Sequence, residues 1–197
     1  MNYYQELTII NNPELSLYEL WSKLYMQLHL AFVEQKDANE QVPYGVSFPE
    51  YVNKEEDGRN TISLGTKLRI FANNVDEFQA LNLDKWLDRL TDYVHIKKPK
   101  PVVNVKYFLS VNRYRPKGSV EKLARRQAKH NGISITAATD KLGSYTQKLI
   151  TYPFIKINSL HDKKSFSLCI NQQKVNNSCI GKFNTYGLSK TATVPWF

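Results

Sequence analysis

The sequence contains little cysteine and no long hydrophobic run. Its two cysteines, Cys169 and Cys179, are too few for the disulfide framework of a small secreted domain and lack the close spacing of a zinc knuckle. No segment approaches the roughly 18 consecutive apolar residues of a transmembrane helix, and the amino terminus lacks a basic region followed by an apolar stretch. We therefore expect a cytoplasmic protein that is neither exported nor embedded in a membrane.

The patterns that mark familiar catalytic centres are also missing. The four histidines form no HxxxH or HExxH pair, there is no CxxC pair, and no glycine-rich loop is present to cradle a phosphate. Carboxylates that would hold magnesium are scarce in the second half of the chain. The sequence therefore predicts no bound metal and no cofactor.

Acidic residues are distributed very unevenly. Residues 1–96 contain 8 basic and 15 acidic residues, a net charge of −7, whereas residues 97–197 contain 19 basic and 3 acidic residues, a net charge of +16. Such a positive segment repels itself unless a polyanion neutralises it, and the phosphate backbone of a nucleic acid is the commonest candidate. A solvated lysine-rich surface, an acidic protein partner and an anionic membrane surface are the alternatives.

The chain is long and apolar enough to fold without disulfides. It has 197 residues, of which 42% are hydrophobic and 23% charged, as in an ordinary globular protein. The first half predicts the order strand, helix, strand, strand, helix, strand, which is typical of a ferredoxin-like domain. The helices begin at a capping box on Ser16 and at Asn74. The predicted elements are strands at 3–10, 45–49, 67–72 and 93–96, helices from about 17 to 35 and 75 to 90, and an acidic loop at 54–60.

A basic, proline-broken segment at 97–101 separates the two halves at the point where the charge changes sign. The fold class is therefore α+β, with a ferredoxin-like domain at 1–96 and a smaller α/β domain at 97–197. In the second domain we expect a basic helix that ends at Asn131-Gly132, then a short helix, two strands and an irregular tail. The predicted strands are 102–111, 154–157 and 166–170.

The basic helix collects its cations on one face, because they recur at i, i+3, i+4 and i+7. Crowding like charges costs a few tenths of a kcal/mol per pair, so the arrangement indicates a ligand that compensates for it, against the alternative of a solvated face. Upstream, three further cations alternate at strand spacing. We assign Arg113 and Arg115 as base readers and the helix as a clamp on the nucleic-acid backbone. The cations of the helix are Lys122, Arg125, Arg126 and Lys129, and those upstream are Arg113, Arg115 and Lys117.

His29 is the candidate for catalysis. It lies at the edge of the apolar stripe of the first helix, where packing is the commoner role, although a pKa near neutrality suits a general base. Without a metal, a phosphodiester enzyme is feasible on RNA, because the RNA's own 2′-hydroxyl can be the nucleophile.

The carboxyl-terminal sequence reads Tyr186-Gly187-Leu188-Ser189-Lys190 and ends in Val194-Pro195-Trp196-Phe197. It resembles the carboxyl terminus of the CRISPR repeat-processing endoribonucleases of type I-F, or Yersinia-type, systems. The resemblance covers nearly the whole chain in family order and weakens between about 131 and 151. It also includes 24–33 around His29, 45–49, 64–70 and 153–166.

The resemblance implies an endoribonuclease that cuts precursor CRISPR RNA without a metal, at the base of the repeat hairpin, leaving a cyclic phosphate. It implies that His29 is the general base or proton shuttle, that Ser159 fixes the ribose 2′-hydroxyl and that Tyr186 lies beside them. It further implies that Phe166 stacks on the end of the stem and that Arg113 reads a guanine. The basic helix would dock in the major groove of the hairpin, and the protein would stay bound to the mature guide RNA with other subunits of the type I-F surveillance complex.

Three residues depart from the family pattern. Arg115 stands where a glutamine is common, and Ala124 and His130 replace arginines of the basic helix. A helix with fewer cations neutralises fewer phosphates, which predicts a salt dependence shallower by roughly one unit for each phosphate left unneutralised. Two other functions stay open: an RNA-hairpin-binding subunit that does not cleave, and a helix-turn-helix DNA-binding protein that uses 123–142.

Overall fold

The protein is a mixture of helices and antiparallel sheets. Its strands are β1 (Tyr3–Ile9), β2 (Gln41–Val42), β3 (Gly45–Ser47), β4 (Val52–Glu56), β5 (Arg59–Ser63), β6 (Lys67–Ala72), β7 (Val94–Ile96), β8 (Lys100–Pro101), β9 (Tyr107–Tyr114), β10 (Phe154–Asn158), β11 (Ser165–Val175), β12 (Phe183–Asn184) and β13 (Thr193–Trp196). Its helices are α1 (Leu17–Glu34), α2 (Val75–Leu81), α3 (Leu83–Trp86), α4 (Val120–Asn131) and α5 (Ile135–Leu142), with a 3₁₀ turn at Asp88–Leu90. The computed structural model describes residues 1–56, 58–115, 120–143, 152–158 and 164–197.

The first sheet has the order β3-β6-β1-β7, and β8 pairs with the opposite end of β1. All of its neighbouring strands are antiparallel.

The predicted capping box starts α1: the Ser16 side chain accepts from the backbone N–H of Glu19, and the Glu19 carboxylate accepts from the backbone N–H of Ser16. The apolar face of α1 is buried, as its spacing predicts.

Two predictions for the first half are wrong. The helix predicted from Asn74 to about Leu90 is interrupted at Asn82, whose φ of 45° ends α2 while its side chain caps α3. Asparagine tolerates this left-handed conformation better than most residues, and the apolar spacing continues across the break. The predicted loop at 54–60 is instead a hairpin of β4 and β5. Its strands are largely exposed and polar on both faces, so they carry no alternating hydrophobic signal.

The second sheet has the order β10-β11-β9-β13. Along the chain, β9 is the first of these four strands. It begins at Tyr107, five residues after the predicted start at Val102. The tail, predicted to be irregular, contributes β13, which pairs with β9 from Thr193 opposite Ser110 to Trp196 opposite Tyr107. The carboxyl terminus is therefore part of the sheet that carries Arg113.

One apolar core extends from the first sheet to the second. Phe48, which follows β3, stacks on Tyr25 of α1 with ring centroids 6.2 Å apart. Its backbone N–H donates to the side chain of Gln172 on β11, and its carbonyl accepts from the same amide, each at 2.9 Å. These two hydrogen bonds fix the register between elements that are 124 residues apart in the chain.

The chain divides into two compact units by its contacts. The larger unit comprises Met1–Tyr114 with Tyr152–Phe197, and the smaller one is Arg115–Thr151. In the smaller unit α4 packs on α5 through Ala124, Ala128 and Ala138. The larger unit contains residues on both sides of position 96, and the division into 1–96 and 97–197 stays a prediction. Within the described residues, no helix is long and apolar enough to span a membrane.

Replacing Gly187 by alanine should destabilise the protein by about 3 kcal/mol, through left-handed strain and overpacking together. Gly187 has a φ of +71°, and a Cβ there would lie 2.6 Å from Cγ1 of Val46 and 3.0 Å from the Phe32 ring. Urea denaturation monitored by circular dichroism measures the decrease in stability.

The matched control is Gly58→Ala, because Gly58 has nearly the same φ of +72° but nothing within 4 Å of the added Cβ. Only backbone strain of about 1 kcal/mol is expected there. Equal losses of stability in the two variants would show that close packing around Gly187 does not matter.

Candidate active site

Four side chains of the larger unit form a continuous row. The rings of His29 and Tyr186 are stacked in parallel, with centroids 4.0 Å apart and an interplanar angle of 5°. Phe166 meets Tyr186 edge to face at 6.4 Å, and the Arg113 guanidinium lies 4.7 Å from the centre of the Phe166 ring. They come from α1, the turn after β12, β11 and β9, so the fold brings together residues that are far apart in the sequence.

The orientation of the His29 ring is set by a backbone carbonyl. Nδ1 of His29 lies 2.8 Å from the carbonyl oxygen of Thr185, which can only accept. Nδ1 therefore carries the hydrogen, and in the neutral ring the lone pair is on Nε2. This is the tautomer that a general base requires, with its free nitrogen pointing away from the carbonyl.

Burial keeps this ring neutral. Removal from water lowers the pKa of His29 below its ordinary value of 6.5, and the hydrogen bond to Thr185 opposes this only in part. At neutral pH the imidazole is therefore in the form that accepts a proton. The stacked Tyr186 ring presents a π face to it, which favours the imidazolium once that proton has been taken.

The same turn positions the Thr185 carbonyl and the Tyr186 ring. The side-chain oxygen of Asn184 accepts from the backbone N–H groups of Tyr186 and Leu188, which closes the turn. The hydroxyl of Tyr25 donates to the carbonyl of Tyr186 at 2.9 Å. Burial raises the pKa of Tyr25, so this hydroxyl keeps its proton. The turn is thus attached to α1 through both Tyr25 and His29.

The tyrosine at the centre of the row also stays protonated. Burial raises the pKa of Tyr186, and the positive charge of Arg113 opposes the shift. Its hydroxyl is therefore a donor at neutral pH.

One nitrogen of the Arg113 guanidinium group makes no hydrogen bond within the described residues. Its Nε is buried and meets no acceptor among the described residues, although the guanidinium is held over the Phe166 ring. Because Nε is shielded from solvent, a hydrogen bond from Arg113 to a ligand would come from the terminal nitrogens of the guanidinium.

The other predicted residues are distributed as follows. Ser159 and Lys117 lie outside the described residues, and Arg115 is exposed at the start of the smaller unit. Ala124, a departure from the family pattern, is fully buried against α5 and is unavailable to a ligand. The cations predicted on the basic helix are all exposed on α4; they are Lys122, Arg125, Arg126 and Lys129.

Two functional groups were missed by sequence reasoning. The Thr185 carbonyl is a backbone atom, so no residue pattern could identify it. Asn184 left a weak signal, because an asparagine three residues before Gly187 is typical of a turn. Among the described residues, no group of three histidine, cysteine, aspartate or glutamate side chains is placed to hold a metal ion.

Comparison with known proteins gives matches along the whole chain. The family model described as CRISPR-associated protein (Cas_Csy4) matches residues 4–197. Two relatives named CRISPR-associated endonuclease Cas6/Csy4 align over the full length of both chains: that of Escherichia coli (strain UTI89 / UPEC) is 31% identical and that of Pseudomonas aeruginosa (strain UCBPP-PA14) is 30% identical. A solved structure described as an RAMP protein binding different RNA substrates covers 98% of this chain and 100% of its own, with 10% identity and a TM-score of 0.39.

The pKa of His29 should lie below 6.5 in the folded protein. The unfolded chain then takes up the proton first as the pH falls, so the contribution of His29 to stability is complete above 6.5 and is lost as the pH falls through the folded pKa. NMR titration of the ring carbons measures this pKa, and urea denaturation at two pH values measures the stability. In His29→Gln this pH dependence should be absent, whereas a folded pKa above 6.5 would contradict the assignment of a neutral base.

Proposed function

Because the chain belongs to the Cas_Csy4 family of CRISPR-associated proteins, we propose that it is an endoribonuclease that cuts precursor CRISPR RNA at the base of the repeat hairpin. The family resemblance inferred from the tail and from the residues around His29 is confirmed by these matches. The observation that carries the proposed chemistry is the hydrogen bond from His29 Nδ1 to Thr185, because it leaves Nε2 free to accept a proton.

The proposed reaction is an intramolecular transesterification. Nε2 of His29 removes the proton from the ribose 2′-hydroxyl, which Ser159 holds, and the 2′-oxygen attacks the adjacent phosphorus. The bond from phosphorus to the 5′-oxygen breaks, and that oxygen takes a proton from the imidazolium. The products are a 2′,3′-cyclic phosphate upstream and a 5′-hydroxyl downstream. No step uses a metal ion.

Tyr186 and Phe166 have different roles in this proposal. Tyr186 stacks on His29, limits rotation of the ring and stabilises its charged form. Phe166 stacks on the last base pair of the stem, and Arg113 reads a guanine near the cut. The guanidinium lies 4.7 Å from the centre of the Phe166 ring, which supports this, because the O6 and N7 of a guanine next to the stacked base pair are acceptors that arginine pairs with well.

The exposed cations of α4 are the proposed clamp on the phosphate backbone. They account for affinity and salt dependence, whereas Arg113 and Arg115 account for specificity. With this clamp the protein keeps hold of its product, the mature guide RNA, and joins the type I-F surveillance complex in the cytoplasm.

We also propose that residues 1–96 form a ferredoxin-like domain and residues 97–197 the RNA-binding domain. The strand order β3-β6-β1-β7 supports the first part, since α1 connects β1 to β3 and α2 with α3 connects β6 to β7.

Replacing His29 by alanine should lower the rate of cleavage of a repeat hairpin by about 10²- to 10⁴-fold, because the general base is removed. The wild-type rate should be the same in EDTA and in magnesium. Gel analysis of labelled RNA, with end-group mapping of the upstream product, measures both.

The matched control is His95→Ala, since His95 is an exposed histidine on β7. Hairpin binding by His29→Ala should persist. Intact RNA after long incubation with the wild-type protein would contradict the enzyme and favour a binding subunit, and equal competition by duplex DNA would favour a helix-turn-helix protein.

Replacing Arg126 by glutamine should lower the slope of log affinity against log salt by about one, because the variant neutralises one phosphate fewer. Filter binding at several salt concentrations measures the slope. Lys54→Gln, which removes an exposed lysine of β4, should leave the slope unchanged. Equal slopes for the wild type and Arg126→Gln would remove α4 from the clamp.

A further inference from the structure

A cleft of about 620 Å³ lies on the outer side of α1. It is bounded by α1, by α3 with the 3₁₀ turn that follows, and by Asn158 at the end of β10. A second depression continues it, sharing Ser22, Lys23 and Asn158 and adding Lys156. The size is within the usual range for sites that bind a small ligand or one unit of a polymer.

The cleft is positively charged although it lies mostly in the acidic half of the chain. Lys23, Lys85 and Arg89 line it. The acidic groups of the two depressions are Asp88 and Glu19, and the Glu19 carboxylate is occupied by the capping box of α1. With Lys156 included, four cations stand against these two carboxylates and Glu34, which lies 3.9 Å from Lys85. This balance favours an anionic occupant.

The lining also contains an aromatic ring. Trp86 is half-buried beside the cleft, with the Lys85 ammonium 5.4 Å from its ring centre, and Met26 faces the cleft from α1. An aromatic ring flanked by cations is the combination by which proteins bind single-stranded nucleic acids, since bases stack on the ring while the cations meet phosphates.

The cleft adjoins the candidate active site through α1. Ser22, Met26 and His29 are spaced i, i+4 and i+7, so they form one stripe along α1. On the other side, Asn158 immediately precedes Ser159 in the chain. An RNA strand that leaves the proposed cut at His29 along this stripe of α1 therefore reaches the cleft.

We propose that this cleft binds the single-stranded RNA on the 3′ side of the cut, with a base stacked on Trp86 and phosphates at Lys23 and Arg89. The inference rests on the proposed function, which supplies the RNA and the position of the cut. It gives the enzyme a grip on the strand that the reaction releases, in addition to its grip on the hairpin.

The test measures how much a 3′ tail contributes to binding. Two hairpins are compared, one with a single nucleotide beyond the cut and one with several, both carrying a 2′-deoxyribose at the cut so that neither is cleaved. The wild-type protein should bind the longer RNA about tenfold more tightly, the usual contribution of a stacked base. In Trp86→Ala that advantage should disappear.

Because Trp86 is half-buried, the exposed pair Lys23→Gln with Arg89→Gln provides a second variant that leaves the packing intact. This double variant should also lose most of the higher affinity for the RNA with the longer 3′ tail. Lys54→Gln should bind the longer RNA as much more tightly as the wild type does. Equal affinity of the wild-type protein for both RNAs, or an advantage retained in both cleft variants, would overturn the proposal. So would an equal gain from a tail on the 5′ side of the hairpin.

Cleavage of the all-ribose RNA by the wild-type protein is measured in parallel. It distinguishes failure of the cleft proposal from failure of the proposed endoribonuclease function. Cutting without a contribution from the tail rejects the cleft alone, whereas absence of cutting rejects the proposed function.

Discussion

The hydrogen bond between His29 and the carbonyl of Thr185 determines what the site can do. It joins a helix near the amino terminus to a turn 156 residues later, and it fixes both the tautomer and the direction of the imidazole. Asn184 closes that turn and Tyr25 attaches it to α1. An imidazole whose free nitrogen has a defined direction needs little reorganisation before it accepts a proton.

The geometry of the row of side chains depends on elements of both sheets. The row from His29 to Arg113 takes residues from α1, β9, β11 and the turn after β12, and a single apolar core connects these elements. Two hydrogen bonds between the backbone of Phe48 and the side chain of Gln172 also join the segment after β3 to β11. Stability and site geometry therefore have a common origin, because loosening the core would separate the elements that carry these four side chains.

Formal charge alone overstates the positive surface available to RNA. Glu6 accepts hydrogen bonds from Arg69 at 2.9 Å and from Lys97 at 2.7 Å, so these two cations serve the fold. Arg69 also lies against the rings of Tyr4 and Phe197, which secures the carboxyl terminus. The cations of α4 are exposed, with Arg125 3.9 Å from Glu121, and Lys23 and Arg89 of the cleft beside α1 are exposed as well. What matters for binding is which charges the fold presents to solvent.

Local signals in the sequence determined much of this protein. The capping box at Ser16, the apolar spacing of α1, the cationic face of α4 and the imbalance of charge between the halves were all readable, because each depends on neighbours within a turn or two of the chain or on composition. Only the tertiary structure revealed the break at Asn82, the pairing of β13 with β9 and the stacking of Tyr186 on His29. Those features depend on contacts between distant residues and on backbone atoms, and a pattern of residue types records neither.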